Sequence, residues 1–512
     1  MARSENKLGF VVAGLMLGIF IASMDQTIVA TAMGTIVSDL GGLENFVWVT
    51  SAYLVTEMAG MPIFGKLSDM YGRKRFFVFG LIVFLIGSIL SGTADSITQL
   101  SIYRAIQGIG GGALMPIAFT IIFDVFPAEK RGKMGGMFGA VFGISSIAGP
   151  LLGAYITDHW NWHWIFYINL PLGIIAIALI AYFYHESHGH SKQKIDWLGA
   201  ATLVIAVVCL MFGLEFGGKQ YAWDSAQIIG LFAAFIVLFV LFLFVERKAA
   251  DPIISFSMFR KRLFAASGML SFLYGAAFIV PIVFIPIFVQ GVFGGTATNS
   301  GLILLPMLLG NVVSSVTGGQ LASKTSYRNV MVVSGVLLVL GIALLGTLTS
   351  DSSRLLLTLF MMITGFGVGF SFSVVSMAAI HNFEPRQYGS ANSTVSFVRE
   401  LGMTVGITIF GAIQSHWFAN KLAGAFEGIG AAASKFPSDP RVLFSDQVRS
   451  HIPHQVLAKL TDALSSSIAH TFEWTLVPAV LAFGFVFFMG NERLKWGRKE
   501  NMVKSLEDGK ST

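Results

Sequence analysis

Charge is what this chain has least of. Asp, Glu, Lys and Arg together make up 12% of its 512 residues, about half of the roughly 25% usual in a soluble domain. So few charges cannot cover a water-facing surface, which excludes a soluble globular protein. Cysteine is nearly absent, with Cys209 alone, and this excludes disulfides and cysteine-based metal centres. There is no P-loop, so ATP is not a direct driver. The glycine run Gly108–Gly112 lies inside an apolar stretch with no strand before it, which excludes a dinucleotide fold. No Ser/His/Asp constellation marks a hydrolase. The imidazoles of His185, His188 and His190 sit in a short polar loop and read as a solvated tract. We therefore expect no metal, no cofactor and no enzyme activity.

What is present is apolar. Hydrophobic residues form 54% of the chain and mean hydropathy is +0.72. Fourteen stretches are long enough to cross a bilayer: 8–33, 46–65, 76–94, 99–123, 134–157, 164–184, 196–216, 226–245, 264–290, 299–323, 329–349, 354–380, 390–415 and 473–490. The first contains a carboxylate and no small-residue cleavage site, so it reads as a span rather than a cleavable signal. With both termini cytoplasmic, 25 of the 34 Lys and Arg fall in inner segments, seven in outer loops, and Arg104 and Arg399 within spans. Inner loops should hold the positive charge, and every short loop here obeys. The net charge of +6 therefore points to the membrane and not to nucleic acid. The loop 416–472 is the one soluble excursion. Its first part, Gly424–Pro440, is rich in Gly, Ala and Ser. Its second places Val456, Leu457, Leu460, Leu464 and Ile468 at helical spacing, which predicts an amphipathic helix on the outer surface.

Several segments carry more than hydropathy. Gly65-Lys66-Leu67-Ser68-Asp69-Met70-Tyr71-Gly72-Arg73-Lys74-Arg75 joins the second and third stretches. Gly65 and Gly72 permit close approach and a tight turn, and Asp69 can face a helix N-terminus or Arg73. Arg104, Gln107, Gly108 and Gly111 share one face of the fourth span. Gly135, Gly139 and Gly143 recur every fourth residue in the fifth, followed by Gly149, Pro150 and Gly153, a pattern that packs helices closely and permits a kink. These segments resemble the signature loop, the R-x-x-Q-G motif and the G-x-x-x-G-P-x-x-G antiporter motif of the major facilitator superfamily. Asp25-Gln26-Thr27-Ile28-Val29, Trp48–Leu54, Trp164–Gly173 and Asp196-Trp197-Leu198-Gly199 are similar to the fourteen-span drug:proton antiporters of the EmrB/QacA type. Two positions depart from that pattern: His163 stands where Arg is usual, and Glu400 where a neutral Gln is common. Gly319-Gln320-Leu321-Ala322-Ser323 weakly echoes Gly65–Asp69, with Ser323 for the carboxylate.

The resemblance implies an all-α membrane protein with the major facilitator fold. Six helices in 1–190 and six in 251–512 (with outer loop 416–472 and a cytoplasmic tail) would form two bundles, and 191–250 an inserted pair. Asp25, Glu57 and Glu400 lie within spans, where a carboxylate is costly and a functional candidate by default. Together with Arg104 they are the expected proton-coupling groups. A structural alternative for Glu57 is a hydrogen bond to Tyr53 or Thr56. Gly65, Asp69, Gly72, Arg73, Asp124, Gly143, Gly149, Pro150 and Gly153 are expected to build the gate, with Asp124 pairing with Arg73 or Arg131. Tyr53, Gln107, Tyr274 and Arg399 are candidates for an apolar substrate cavity. Pro281 and Pro286 are placed to bend the ninth span. The implied function is export of varied apolar or cationic drug-like compounds in exchange for protons, by a monomer in the lipid bilayer of a bacterial cytoplasmic membrane. The alternatives are a monovalent-cation or single-metabolite exporter on the same fold, and an importer, against which Gly149-Pro150 argues.

Overall fold

The computed structural model describes residues 2–41, 47–126, 128–186, 196–218, 220–249, 251–294, 297–425 and 454–493. Long helices account for nearly all of them. In chain order they are α1 (Ala2–Leu40), α2 (Val47–Tyr71), α3 (Arg73–Ser91), α4 (Ile97–Val125), α5 (Ala128–His159), α6 (Asn169–Phe183), α7 (Trp197–Phe216) and α8 (Ala226–Lys248). They continue as α9 (Arg262–Gly291), α10 (Ala297–Lys324), α11 (Tyr327–Leu345), α12 (Arg354–Ile380), α13 (Tyr388–Ala425) and α14 (His454–Val486). In lipid a helix satisfies every backbone group within itself, so long apolar runs have no other stable form. The turns are set by polar residues. Ser96, Asp196, Ser225, Ser326 and Ser353 each cap the following helix through the side chain.

Thirteen of the described helices are long and apolar enough to cross a membrane. The fourteenth, α2, carries Glu57, Lys66 and Asp69 yet is 25 residues long, about 37 Å at the helical rise. It passes between α4 and α13, so its polar residues face protein.

The last span departs from expectation. α13 continues to Ala425 and α14 begins at His454, so the loop read as 416–472 shrinks to 426–453, outside the described residues. The periodic face of 456–468 does not float on the membrane surface. Leu460, Leu464 and Ile468 are buried where α14 packs on α9 and α13, and Gln414 Nε2 donates to Ser467 Oγ at 3.1 Å. An amphipathic stripe looks the same whether it meets lipid or a neighbouring helix, and here the neighbour took it. Pro150, Pro281 and Pro286 all lie inside continuous helices. Of the histidine tract, His185 is exposed and the other two lie outside the described residues.

Two bundles repeat one packing scheme. The pairs α2/α4, α3/α4, α1/α5, α1/α6 and α3/α6 recur as α10/α12, α11/α12, α9/α13, α9/α14 and α11/α14. The repeat extends to single residues: a Cβ on Gly112 would lie 2.4 Å from the Glu57 carbonyl, and one on Gly369 2.2 Å from that of Asn311. The bundles meet along α2/α13 and α5/α10, while α7 and α8 pair with each other and lean on α2 and α13 through α7.

Candidate functional site

A buried polar cluster occupies the first bundle. Asp25 of α1 is fully buried and ion-paired with Arg104 of α4. It also accepts from Gln107 Nε2 at 2.9 Å and from Asn169 Nδ2 at 3.0 Å. Arg104 further donates to Gln107 Oε1 at 2.7 Å and to the Val49 carbonyl at 3.3 Å. The Tyr53 ring lies 4.3 Å from its guanidinium carbon. Arg104 and Gln107 meet Asp25 together because they are three apart on one helix face. Asn169 donates as well to Ser88 Oγ at 3.0 Å, so five helices join in one network. Removing two charges from water is costly unless every donor and acceptor is matched, and this network matches nearly all of them.

Glu57 lies beside the cluster on α2, 8% exposed. It accepts from Gln26 Nε2 at 2.9 Å and is within electrostatic reach of Glu400 across the α2/α13 seam. The alternative partners do not bind it: Thr56 Oγ1 donates to the Ala105 carbonyl at 2.8 Å instead. Tyr53, Gln107 and Tyr274, expected on a cavity wall, are enclosed at 0%, 0% and 1% exposure. Tyr274 bonds Ser334 Oγ at 2.8 Å. Arg399 stands over the Phe372 ring, its guanidinium carbon 4.4 Å from the centroid.

The cytoplasmic ends of the two bundles are latched. Asp69, at the end of α2, accepts from the backbone N–H of Gly389 at 2.9 Å and of Ser390 at 2.7 Å, and from Ser390 Oγ at 3.1 Å. These donors are the first turn of α13, whose positive helix end favours a carboxylate. Arg73 bonds Asp69 at 3.2 Å, pairs with Asp124 and donates to the Pro385 carbonyl. Arg131 lies near Tyr388 and donates to the Phe126 carbonyl at 3.0 Å, so Arg73 is Asp124's partner. Gly72 turns the chain at φ 112°. A side chain at Gly65 would place its Cβ 2.0 Å from Ser393 Oγ, so the seam closes only with glycine there. In α5 the glycines split between two neighbours. Gly149 and Gly153 meet Thr27 and Thr31 of α1, whereas Gly143 meets Val312 of α10 in the other bundle.

Sequence reasoning gave no role to Asn169, Gln26, Gly389 or Ser390. An Asn within an apolar run was a usable signal for Asn169. Nothing in the sequence marks Gly389 or Ser390, whose part is played mainly by main-chain N–H groups.

Two bundles of one design, joined at one end and with a charged cluster buried inside the first, place the chain among multi-pass membrane transporters. The chain belongs to the Major Facilitator Superfamily, whose sequence model matches residues 15–407 and 268–492. It is 58% identical over 490 residues to "Multidrug resistance protein 3" of Bacillus subtilis (strain 168), covering 95% of this chain and 96% of that one. It is 36% identical over 514 residues to "Multidrug transporter protein MdtP" of the same organism, covering 97% and 95%. Among solved structures, the proton:xylose symporter XylE bound to 6-bromo-6-deoxy-D-glucose aligns with a TM-score of 0.63 at 14% identity, over 96% of this chain and 97% of that one. That likeness concerns the fold. The protein is a multi-pass component of the bacterial cell membrane.

Proposed function

We propose that this chain is a proton-coupled antiporter that exports chemically varied apolar and cationic drugs by alternating access. The observation that carries the reading is the set of acids within the spans: Glu57, buried on α2 and within electrostatic reach of Glu400 on α13, beside the buried Asp25–Arg104 pair. A buried carboxylate without a contacting cation is costly, and either a proton or a cationic compound can supply the missing charge. Both compete for the same negative charge, and that competition couples the two fluxes. The names of the relatives support drugs as cargo.

In this reading 1–190 and 251–512 rock about the midplane while 191–250 rides beside the seam. The latch of Asp69, Arg73 and Asp124 supports a state closed to the cytoplasm, with Gly65 and Gly72 allowing the closure. Gly143, Gly149, Pro150 and Gly153 let α5 slide between α1 and α10. Asp25 holds or releases the proton, and Arg104 and Gln107 restrain it. Inside-out vesicles test the proposal. Adding a cationic dye to energised vesicles should release luminal protons, seen as recovery of a quenched pH probe. Wild-type protein that moves dye with no proton flux would exclude coupling, and protein that moves no dye would exclude drug export.

A further inference from the structure

Asp25 is held by three side chains, and one of them is only half engaged. Arg104 pairs with its Oδ2, while Gln107 Nε2 and Asn169 Nδ2 donate to its Oδ1 at 2.9 and 3.0 Å. Gln107 uses both ends of its amide, because its Oε1 accepts from Arg104 at 2.7 Å. Asn169, fully enclosed at the start of α6, uses one end. Its Nδ2 donates a second time, to Ser88 Oγ at 3.0 Å, yet its Oδ1 has no hydrogen-bond partner among the described residues. A buried amide oxygen without a donor is costly to maintain.

The chemistry of Asp25 supplies a use for that oxygen. A carboxylate only accepts hydrogen bonds, and all three neighbours donate to it. Once protonated it becomes a donor, and its O–H needs an acceptor. Arg104 has no acceptor atom, and Gln107 Oε1 is already engaged. Of the three side chains that bond Asp25, only Asn169 has an unengaged acceptor. Tyr53 Oη, another buried polar atom here without a partner, lies against Gly111, one turn beyond Gln107 on α4. The helices have little room to bring in a further group. A Cβ on Gly87 of α3 would lie 2.5 Å from Gln107 Cα on α4, and one on Gly173 of α6 would lie 2.6 Å from the Leu85 side chain on α3. A change of charge at Asp25 is therefore met by side chains and not by helix movement.

We propose that Asn169 is a two-state amide that follows the charge of Asp25: its nitrogen donates to the carboxylate, and after the amide turns its oxygen accepts from the acid. In the second state the Asp25 O–H donates to Asn169 Oδ1, while Nδ2 keeps Ser88 Oγ. Ser88, itself fixed by donating to the Phe166 carbonyl at 2.8 Å, is the pivot in both states. The proton's bond to Asp25 is the only covalent bond that forms or breaks, and Arg104 and Gln107 stay in place. Asn169 is thus a positioning residue, and the inference rests on the proton-coupled reading and deepens it.

Infrared difference spectra of the purified full-length protein test this, taken from acidic to alkaline pH with asparagine isotopically labelled at its side-chain carbonyl. The Asp25 carboxyl band is the one that Asp25→Asn removes. As that band appears, one asparagine carbonyl band should move to lower frequency, and the moving band should be missing in Asn169→Leu. An Asp25 band that appears while every asparagine band stays in place overturns the proposal, and so does an Asp25 that shows no carboxyl band at any pH. In vesicles, Asn169→Leu should slow dye-driven proton exchange at least tenfold, with Ser88→Ala between it and wild type. A folded Asn169→Leu that exchanges at the wild-type rate also overturns the proposal. Wild type that moves dye without proton flux removes the coupling reading, and the infrared bands then still decide whether the amide follows Asp25.

Discussion

Asp25 and Arg104 show what one residue contributes here. Asp25→Asn should abolish dye-driven proton exchange in vesicles while the protein still inserts and runs as a single species in detergent. Breaking a buried ion pair costs about 3–5 kcal/mol because the surviving charge is stranded. Asp25→Asn combined with Arg104→Gln should therefore be more thermally stable than Asp25→Asn alone, yet equally inactive. A single mutant that still concentrates cationic dyes would hand the coupling to Glu57 and Glu400. His163, on the outer turn before α6, offers a pH test. Partial burial holds its pKa below the ordinary value of about 6.5, opposed by Asp39 and Asp95. A depressed value in the folded state means that the unfolded chain takes up the proton more readily, so stability is lost as pH falls from near 6.5 through the folded value. In thermal melts between pH 7 and 5, His163→Gln should show a shallower decline than wild type.

At the scale of elements, the sequence revealed which helices exist better than where they end or what they touch. The Arg104–Gln107 face was legible because three-residue spacing is local. Its partner Asp25 was legible as a costly acid, but the pairing spans 79 positions and only packing decides it. Glu57 was flagged, whereas Gln26, a neutral residue, was not. α14 was read too short because its polar-looking first turns bury their apolar stripe against α9 and α13. The α2/α13 seam gives a sharp test. Gly65→Ala sets a Cβ against Ser393 and also 2.8 Å from the Gly389 carbonyl. Overpacking of this kind costs about 1–3 kcal/mol. The cytoplasmic seam should then open, export should fall at least tenfold, and a cysteine placed near the latch should react faster with a reagent added from the cytoplasmic side. Gly65→Ala with Ser393→Gly should recover part of the loss.

For the whole molecule, the repeat of helix pairings is much clearer than the sequence echo of Gly65–Asp69 in Gly319–Ser323. Backbone packing needs only small residues at a few levels, so it survives when side chains diverge. The bundles have diverged in charge: the first holds Asp25, Arg104 and Glu57, and the position matching Glu57 in the second is Asn311. The pair α7 and α8 is uneven in a different way. Leu203 and Val207 of α7 are buried at 1% and 2%, whereas Ile236 and Val237 of α8 are 58% and 66% exposed. Alanine at Leu203 and Val207 should reduce drug export, and alanine at Ile236 and Val237 should leave it unchanged in the same dye assay.

The Asp69 latch also bears on how such a protein can change over generations. Two of the donors that meet Asp69 belong to the main chain of Gly389 and Ser390, and only proline removes a backbone N–H. That protection is partial, because a Cβ on Gly389 would lie 2.5 Å from Asp69 Oδ1, so the donor side needs its glycine as the acceptor side needs its carboxylate. Selection therefore has the aspartate and the glycines around it to guard together. The second bundle, free of that guard, could let its own copy of the loop drift to Ser323 without unfastening the door.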